Sequence, residues 1–363
     1  MTQTAIPFLF MRAGTSRGPY FNAADLPQDR ETLAQVLVAA LGSGHPLNID
    51  GIGGGNAVTT KVAILSPSKD PWADVDYFFA QVSVDDGAVD FKPTCGNILS
   101  GVGPAALEMG LCAATGDVTQ VKIRAVNTGA RIIGTVQTGP DGVIYDGSTG
   151  IDGVPGTAAP VGLQFMDTVG GATGALLPTG NLIDTFDGID VTCMDVAMPM
   201  AIARAADFGL TGYESAEALN DNTAFFAQME SVRQMAGAAM GLGDVSGSVT
   251  PKFGLLAPAK DGGTIAARYF MPWKTHPTMA VTGAQCLASC VLTPGTVADG
   301  MAQIPPETPA TITLEHASGL IDVVVDYDRS GDTITLNSAG LVRTARLLAR
   351  GELMVPRNIW TRP

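Results

Sequence analysis

Histidine is scarce in this chain, at three of 363 residues, and cysteine is little commoner, at five. No His-x-x-x-His pair, Cys-x-x-Cys pair or dense carboxylate cluster is present, so the ligand spacing of zinc and iron sites is missing and catalysis without a metal is expected. Cys95, Cys112, Cys193, Cys286 and Cys290 are too sparse for a disulfide scaffold, which fits a reducing compartment. Basic residues are also few, 21 against 35 acidic ones, for a net charge of −14. That balance argues against a nucleic-acid surface and against docking on anionic lipid. No apolar run approaches the roughly 18 residues of a membrane span. Residues 1–7 have no basic region leading into an apolar stretch, so a cytoplasmic protein is expected. With charged residues at only 15%, an acidic substrate must meet local donors, namely helix N-termini and single cations, against a repelling overall field.

What the chain does have is apolar content, 46%, enough for two cores of ordinary size. Two similar lobes are expected. Short β-branched or alternating runs at 76–84, 120–126 and 321–327 read as strands. Turn signals at 85–87, 140–142 and 328–332 separate such runs, so antiparallel or mixed sheets are expected rather than repeated βαβ units. Two stretches, 97–111 and 283–292, are small and apolar on nearly every face and predict enclosed central helices. Their similar openings, Thr94-Cys95-Gly96-Asn97 and Thr282-Gly283-Ala284, suggest a weak internal duplication. A surface helix is expected within 215–240, with Glu230 and Arg233 on one face. The lobe boundary is placed in the Gly/Pro-rich passage ending near 177–181, giving lobes 1–180 and 181–363, with the C-terminal segment returning to the first.

Lys61 and Cys95 are the residues best suited to chemistry. Cys95 precedes a small residue, a polar one and then Ile98, Leu99 and Val102, which reads as the mouth of a buried helix, where free N–H groups favour an anion. Taken singly, a structural cysteine and a solvated lysine are adequate readings. Gly51-Ile52-Gly53-Gly54-Gly55-Asn56 is not a dinucleotide loop, because Asn56 stands where the third glycine belongs.

The ordered set Met11 to Gly18, Ile49 to Gly54, Thr60-Lys61, Asp74-Val75-Asp76-Tyr77, Cys95-Gly96-Asn97, Gly101 to Pro104, 151–156 and 177–181 resembles the methylaconitate isomerase family. That family also holds methylitaconate isomerases and 4-oxalomesaconate tautomerases. Segments 207–214, 242–246 and 340–348 look most like the tautomerase branch. The resemblance implies an α+β fold similar to diaminopimelate epimerase, in which two lobes each wrap a central helix. It implies a proton and double-bond shift in an unsaturated tricarboxylate, 4-oxalomesaconate in aromatic-acid catabolism, with no cofactor. The alternatives are methylaconitate or methylitaconate as substrate, or a carboxylate-binding protein without turnover. Two-thiol racemisation is not implied, since Thr282 stands where an epimerase has its second cysteine.

By the same resemblance Lys61 and Cys95 are the acid–base pair, Lys61 favoured as base and the reverse left open. Thr15, Ser16 and Arg17 are expected to hold a carboxylate, with Gly54, Gly96 and Asn97 around it. Thr179, Gly180, Asn181, Lys252, Arg268, His276, Thr282, Gly283 and Ala284 are the expected donors of the second half, because a polycarboxylate needs several. Each of Lys252, Arg268 and His276 has an ordinary structural reading beside this one. Gly55 and Asn56 depart from the family's usual Gly-Gly-Ala-Asp loop, which marks a place where substrate choice can differ. The partner is a small anionic polycarboxylate, with no nucleic acid or membrane, and a homodimer is compatible with this reading.

Overall fold

A computed structural model describes residues 2–331 and 333–362. The last residue of the 328–332 turn signal therefore lies outside the described residues. The chain divides into two compact units, one running through Gln164 and taking in the residues from Val342 onward, the other spanning Phe165–Leu341.

The first unit is built on β1 (Gln3–Ala13), β2 (Ser16–Asn22), α1 (Arg30–Leu41), β3 (Lys61–Pro67), β4 (Val75–Val82), β5 (Val89–Asp90), α2 (Gly96–Leu99), α3 (Val102–Glu108), β6 (Val118–Ala125), β7 (Arg131–Gly139) and β8 (Gly142–Val143), with β9 (Pro160–Met166) at its end. β1 and β2 form a hairpin, β2 runs parallel to β3, β3 is antiparallel to β4, and β4 is parallel to β6. One face of this sheet buries Phe21, Val62, Ile64, Ala80 and Val82 under Leu33, Val36, Leu37 and Leu41 of α1. α1 forms there because its apolar residues recur at helical spacing, Asp29 caps its first turn through Thr32 N–H, and Gly42 ends it in the left-handed conformation.

The opposite face carries α2 and α3, where the sequence predicts a single helix over 97–111. Pro104 explains the break: it has no N–H to offer the Ser100 carbonyl, and the chain turns at Ser100-Gly101 before starting again. Gly101 is needed at that turn because a β-carbon would collide with the Tyr20 hydroxyl.

The second unit contains β10 (Asp184–Phe186), β11 (Ile189–Asp195), β12 (Pro199–Arg204), α4 (Ala216–Asp221), α5 (Thr223–Ala239), β13 (Lys252–Pro258), β14 (Ile265–Phe270), α6 (Val281–Leu292), β15 (Ala310–His316) and β16 (Gly319–Ser330); β17 (Thr333–Pro356) starts in this unit and ends in the first. Strand pairing is antiparallel except for β12 with β13 and β14 with β15. Every residue of α6 from Gly283 to Leu292 is buried, among Met200, Ile202, Leu256, Ile312 and Val323. Cys286 and Cys290 are part of that core, and burial pushes both thiols up, which leaves them inert.

α5 lies at the surface as expected, with one face exposed, and departs from the expectation at Arg233. Arg233 pairs with Glu230 as the spacing predicts, but it is fully buried and also donates to the carbonyls of Val245 and Pro251. The helix therefore packs one face on Phe253 and Phe270 and uses Arg233 to hold the chain that follows it.

The boundary falls at Gln164/Phe165, ahead of the expected 180. The Gly/Pro-rich passage is bound to the second unit: Asp195 accepts from the N–H groups of Ala172 and Thr173, and Leu176 and Leu177 pack on the α6 core. Composition marks the passage as irregular but carries no trace of those bonds.

Candidate active site

Lys61 opens β3, opposite Gln81 in the antiparallel register, with Ala63 opposite Phe79 and Leu65 opposite Tyr77. Strand alternation puts Val62 and Ile64 under α1, so Lys61, Ala63 and Leu65 face the other way, with Tyr77, Phe79 and Gln81. Lys61 Nζ donates to Gln81 Oε1 at 2.7 Å and lies 5.4 Å from the centre of the Phe79 ring. Gly18 of the neighbouring β2 comes so close to the Lys61 carbonyl that no side chain fits there.

Cys95 is the N-cap of α2 and is half-buried; like the other four cysteines it is a free thiol. Two tyrosines from the sheet hold the helix mouth. Tyr77 donates its hydroxyl to the Cys95 carbonyl at 3.3 Å, and Tyr20 donates to the Ile98 carbonyl at 2.5 Å. Burial, and then the negative charge that a Cys95 thiolate would place beside them, hold both phenols well above the ordinary tyrosine range. They stay protonated donors. Cys95 is thus on the same face of the sheet as Lys61, above Tyr20 and Tyr77. Leu99 N–H bonds back to the Cys95 carbonyl, so the N–H groups of Gly96 and Asn97 precede the first helical bond.

The hairpin before β2 approaches the same mouth. Asn97 Nδ2 donates to Thr15 Oγ1 at 3.0 Å and Thr15 N–H points to Asn97 Oδ1 at 3.4 Å, while a β-carbon on Gly14 would strike the Asn97 side chain. Ser16 is 3% exposed, and its hydroxyl has no hydrogen-bond partner among the described residues. It pairs with Ala13 and shares the face of Gly18 and Tyr20.

Arg17 lies elsewhere than expected. The pleat sends it to the opposite face, over Phe10 at 5.7 Å, with Gly54 left bare of a side chain so that the guanidinium and Thr59 fit beside it. Its Nε is buried without a hydrogen-bond partner among the described residues. Gly55 has φ +68°, and its N–H binds Asn48 Oδ1, so the departure from the usual loop has a backbone reason.

In the second unit, Thr179 and Asn181 both donate to Asp184, at 2.6 and 2.7 Å, around a left-handed Gly180. These three build a turn, in which the Thr179 hydroxyl and the Asn181 side-chain nitrogen are already engaged. Arg268 gives Nε to the Glu214 carbonyl and one terminal nitrogen to the carbonyls of Ala267 and Glu315, which makes it a brace between segments. Lys252 is half-buried at the start of β13, and burial, then the nearby Arg233, lowers its pKa.

His276 and the α6 mouth meet around Tyr269. The two rings are 5.8 Å apart, and a β-carbon on Gly283 would enter the Tyr269 ring. Burial lowers the His276 pKa, and its Nδ1 accepts from Thr278 N–H. α6 has no side-chain cap, leaving the N–H groups of Thr282 and Gly283 without intrahelical partners. Ala284 is corrected: its N–H is bonded to the Ala280 carbonyl and the residue is buried.

Sequence reading missed Tyr20, Tyr77 and Gln81. Tyr77 and Gln81 are separated by even intervals along one alternating strand, the only signal that placed them beside Lys61. Among the described residues no group of three or more His, Cys, Asp or Glu side chains is placed to hold a metal ion. Nor is any helix among them long and apolar enough to cross a membrane.

A model of the PrpF protein family matches residues 3–356. YbhH of Escherichia coli (strain K12), named as a provisional isomerase, is 50% identical over 352 residues, 97% of this chain and 99% of that one. The 4-oxalomesaconate tautomerase of Pseudomonas putida is 44% identical over 363 residues, 100% of this chain and 99% of that one. The crystal structure of a methylitaconate-Δ-isomerase superposes with a TM-score of 0.90 at 33% identity, covering 100% of both chains.

Proposed function

The chain belongs to the PrpF family and is an isomerase, and from that premise we propose that it moves a proton and a double bond in 4-oxalomesaconate, without a cofactor, in the breakdown of aromatic acids. The observation that carries this reading is the placement of Lys61 and Cys95 on one face of one sheet, each held by its own partner from β4. An amine and a thiol so placed can remove a proton from an allylic carbon and return one elsewhere on the same substrate. Atoms and electrons balance within the substrate: one C–H bond breaks, the electron pair spreads into a dienolate, and a new bond to hydrogen forms.

Lys61 acts as the base in this scheme and Cys95 as the acid. The dienolate carries its charge on carboxylate or oxo oxygens, which donors fixed in advance stabilise most effectively. The N–H groups of Gly96 and Asn97 and the unpartnered Ser16 hydroxyl are donors in the first unit. General acid–base catalysis of this kind contributes about 10²–10⁴-fold each.

The test follows the ultraviolet absorbance of fresh 4-oxalomesaconate with the enzyme, and with methylaconitate and methylitaconate in parallel. Preferred turnover of the oxo acid supports the reading. Preferred turnover of a methyl-bearing acid moves the substrate to the branch of the methylitaconate enzyme whose fold this chain shares.

A further inference from the structure

Gln81 has no place in the chemistry read from the sequence, yet it is the hydrogen-bond partner of Lys61. Its orientation is set from behind: Nε2 faces the carbonyls of Ala57, Thr60 and Val82 at 3.1, 3.4 and 3.2 Å, and the Thr60 hydroxyl at 3.3 Å. Four acceptors within reach of the two amide N–H groups leave the oxygen to face Lys61, and a flipped amide would set its oxygen against carbonyl oxygens. Thr60 is itself buried, with its hydroxyl on the Val82 carbonyl at 2.7 Å.

Strand β4 repeats this service along one face. Gln81 takes the Lys61 amine, the Phe79 ring lies near it, and Tyr77 takes the Cys95 carbonyl. The spacing of the three positions is the two-residue repeat of a strand, about 6.6 Å per step, so Gln81, Phe79 and Tyr77 stand in one row on a single strand.

We propose that Gln81 is a positioning residue for Lys61, fixing where the amine's lone pair points by accepting a hydrogen bond from one of its N–H groups. The proposal rests on the reading of Lys61 as a proton-transferring group. A neutral acceptor suits this role because it orients both the amine and the ammonium, whereas a carboxylate would hold the ammonium and oppose its loss of a proton. A lysine free to rotate about its four-carbon stem would spend much of its time off the line of attack, and misplacement by about 1 Å can cost about 10²-fold in rate.

The experiment compares wild type, Gln81→Met, Gln81→Glu and Lys61→Met, measuring kcat, KM and the pH profile of kcat/KM on the substrate that wild type turns over best. Gln81→Met keeps the length and removes the acceptor; kcat should fall about 10–100-fold with KM changed less than about threefold. Gln81→Glu should move the limb of the profile that reports the lysine to higher pH by about one unit or more. If both variants leave kcat and the profile in place, or raise only KM and lower the melting temperature, Gln81 merely supports the 57–60 loop and the proposal is overturned. If Lys61→Met is as active as wild type, the reading of Lys61 fails first, which separates the two failures. Should the Gln81 variants not fold, ¹⁵N NMR of lysine-labelled wild type still decides. A slowly exchanging Nζ signal absent from Lys61→Met supports the bond, and a fast-exchanging Lys61 amine overturns it.

Discussion

Gly18 lies flat against the carbonyl oxygen of Lys61, at a distance that no β-carbon could share. The close approach brings β2, which carries Ser16 and Tyr20, beside the strand that starts with Lys61. Gly18→Ala is therefore expected to separate the two strands where the site is assembled. Overpacking of this kind costs about 1–3 kcal/mol, to be read as a lowered melting temperature. Turnover should fall by more than the loss of folded protein explains, and an alanine variant with wild-type activity would show that this contact does not hold Lys61.

Ser16 and Arg17 take opposite faces of β2 despite being adjacent in one motif. Ser16 has a buried, unpartnered hydroxyl on the Cys95 side, whereas Arg17 sits on the reverse side of the strand over Phe10. Removing a hydrogen bond to a charged group costs about 1.5–3 kcal/mol, so Ser16→Ala should raise KM for the polycarboxylate about tenfold or more. Arg17→Ala should act chiefly on stability, measured by thermal denaturation. Equal KM effects from both would contradict the division of faces.

That pair also shows which features were legible before the structure. Strand runs such as β4 and β6 are visible because their apolar residues alternate, and α6 because its residues are apolar all round and every one from Gly283 onward is buried. Lys61 and Cys95 stood out through their neighbours. Which face Ser16 and Arg17 take depends on register, and a motif read as a string of letters carries no register. The bonds of Thr179 and Asn181 to Asp184 are local turn chemistry that a polar motif cannot distinguish from a ligand site. The first helix reads as continuous over 97–111 in the sequence; the signal for its break, passed over in that reading, is Pro104, whose missing N–H forbids a continuous bond pattern back to Ser100.

Asp76 gives a pH prediction. Burial alone would raise its pKa, but the Arg124 guanidinium, bound through two nitrogens at 2.8 and 2.6 Å, and the Ser68 hydroxyl at 2.6 Å hold it below the ordinary carboxylate range. The unfolded chain then binds the proton more readily than the folded one. The stabilisation is complete above the unfolded value, about pH 4, and is lost as pH falls through the lower folded value. Asp76→Asn should lower the melting temperature at pH 7, with the gap to wild type closing as pH falls below about 4. A gap independent of pH would contradict this.

The most direct measurement is turnover of fresh 4-oxalomesaconate by wild type, Lys61→Met and Cys95→Ser, each verified as folded by circular dichroism. Proton transfer between an amine and a thiol on one face of the sheet predicts a loss of at least about 100-fold in kcat for each variant. It also predicts a double variant little worse than the more damaged single one. Wild-type rates in either single variant, with the fold intact, would contradict it.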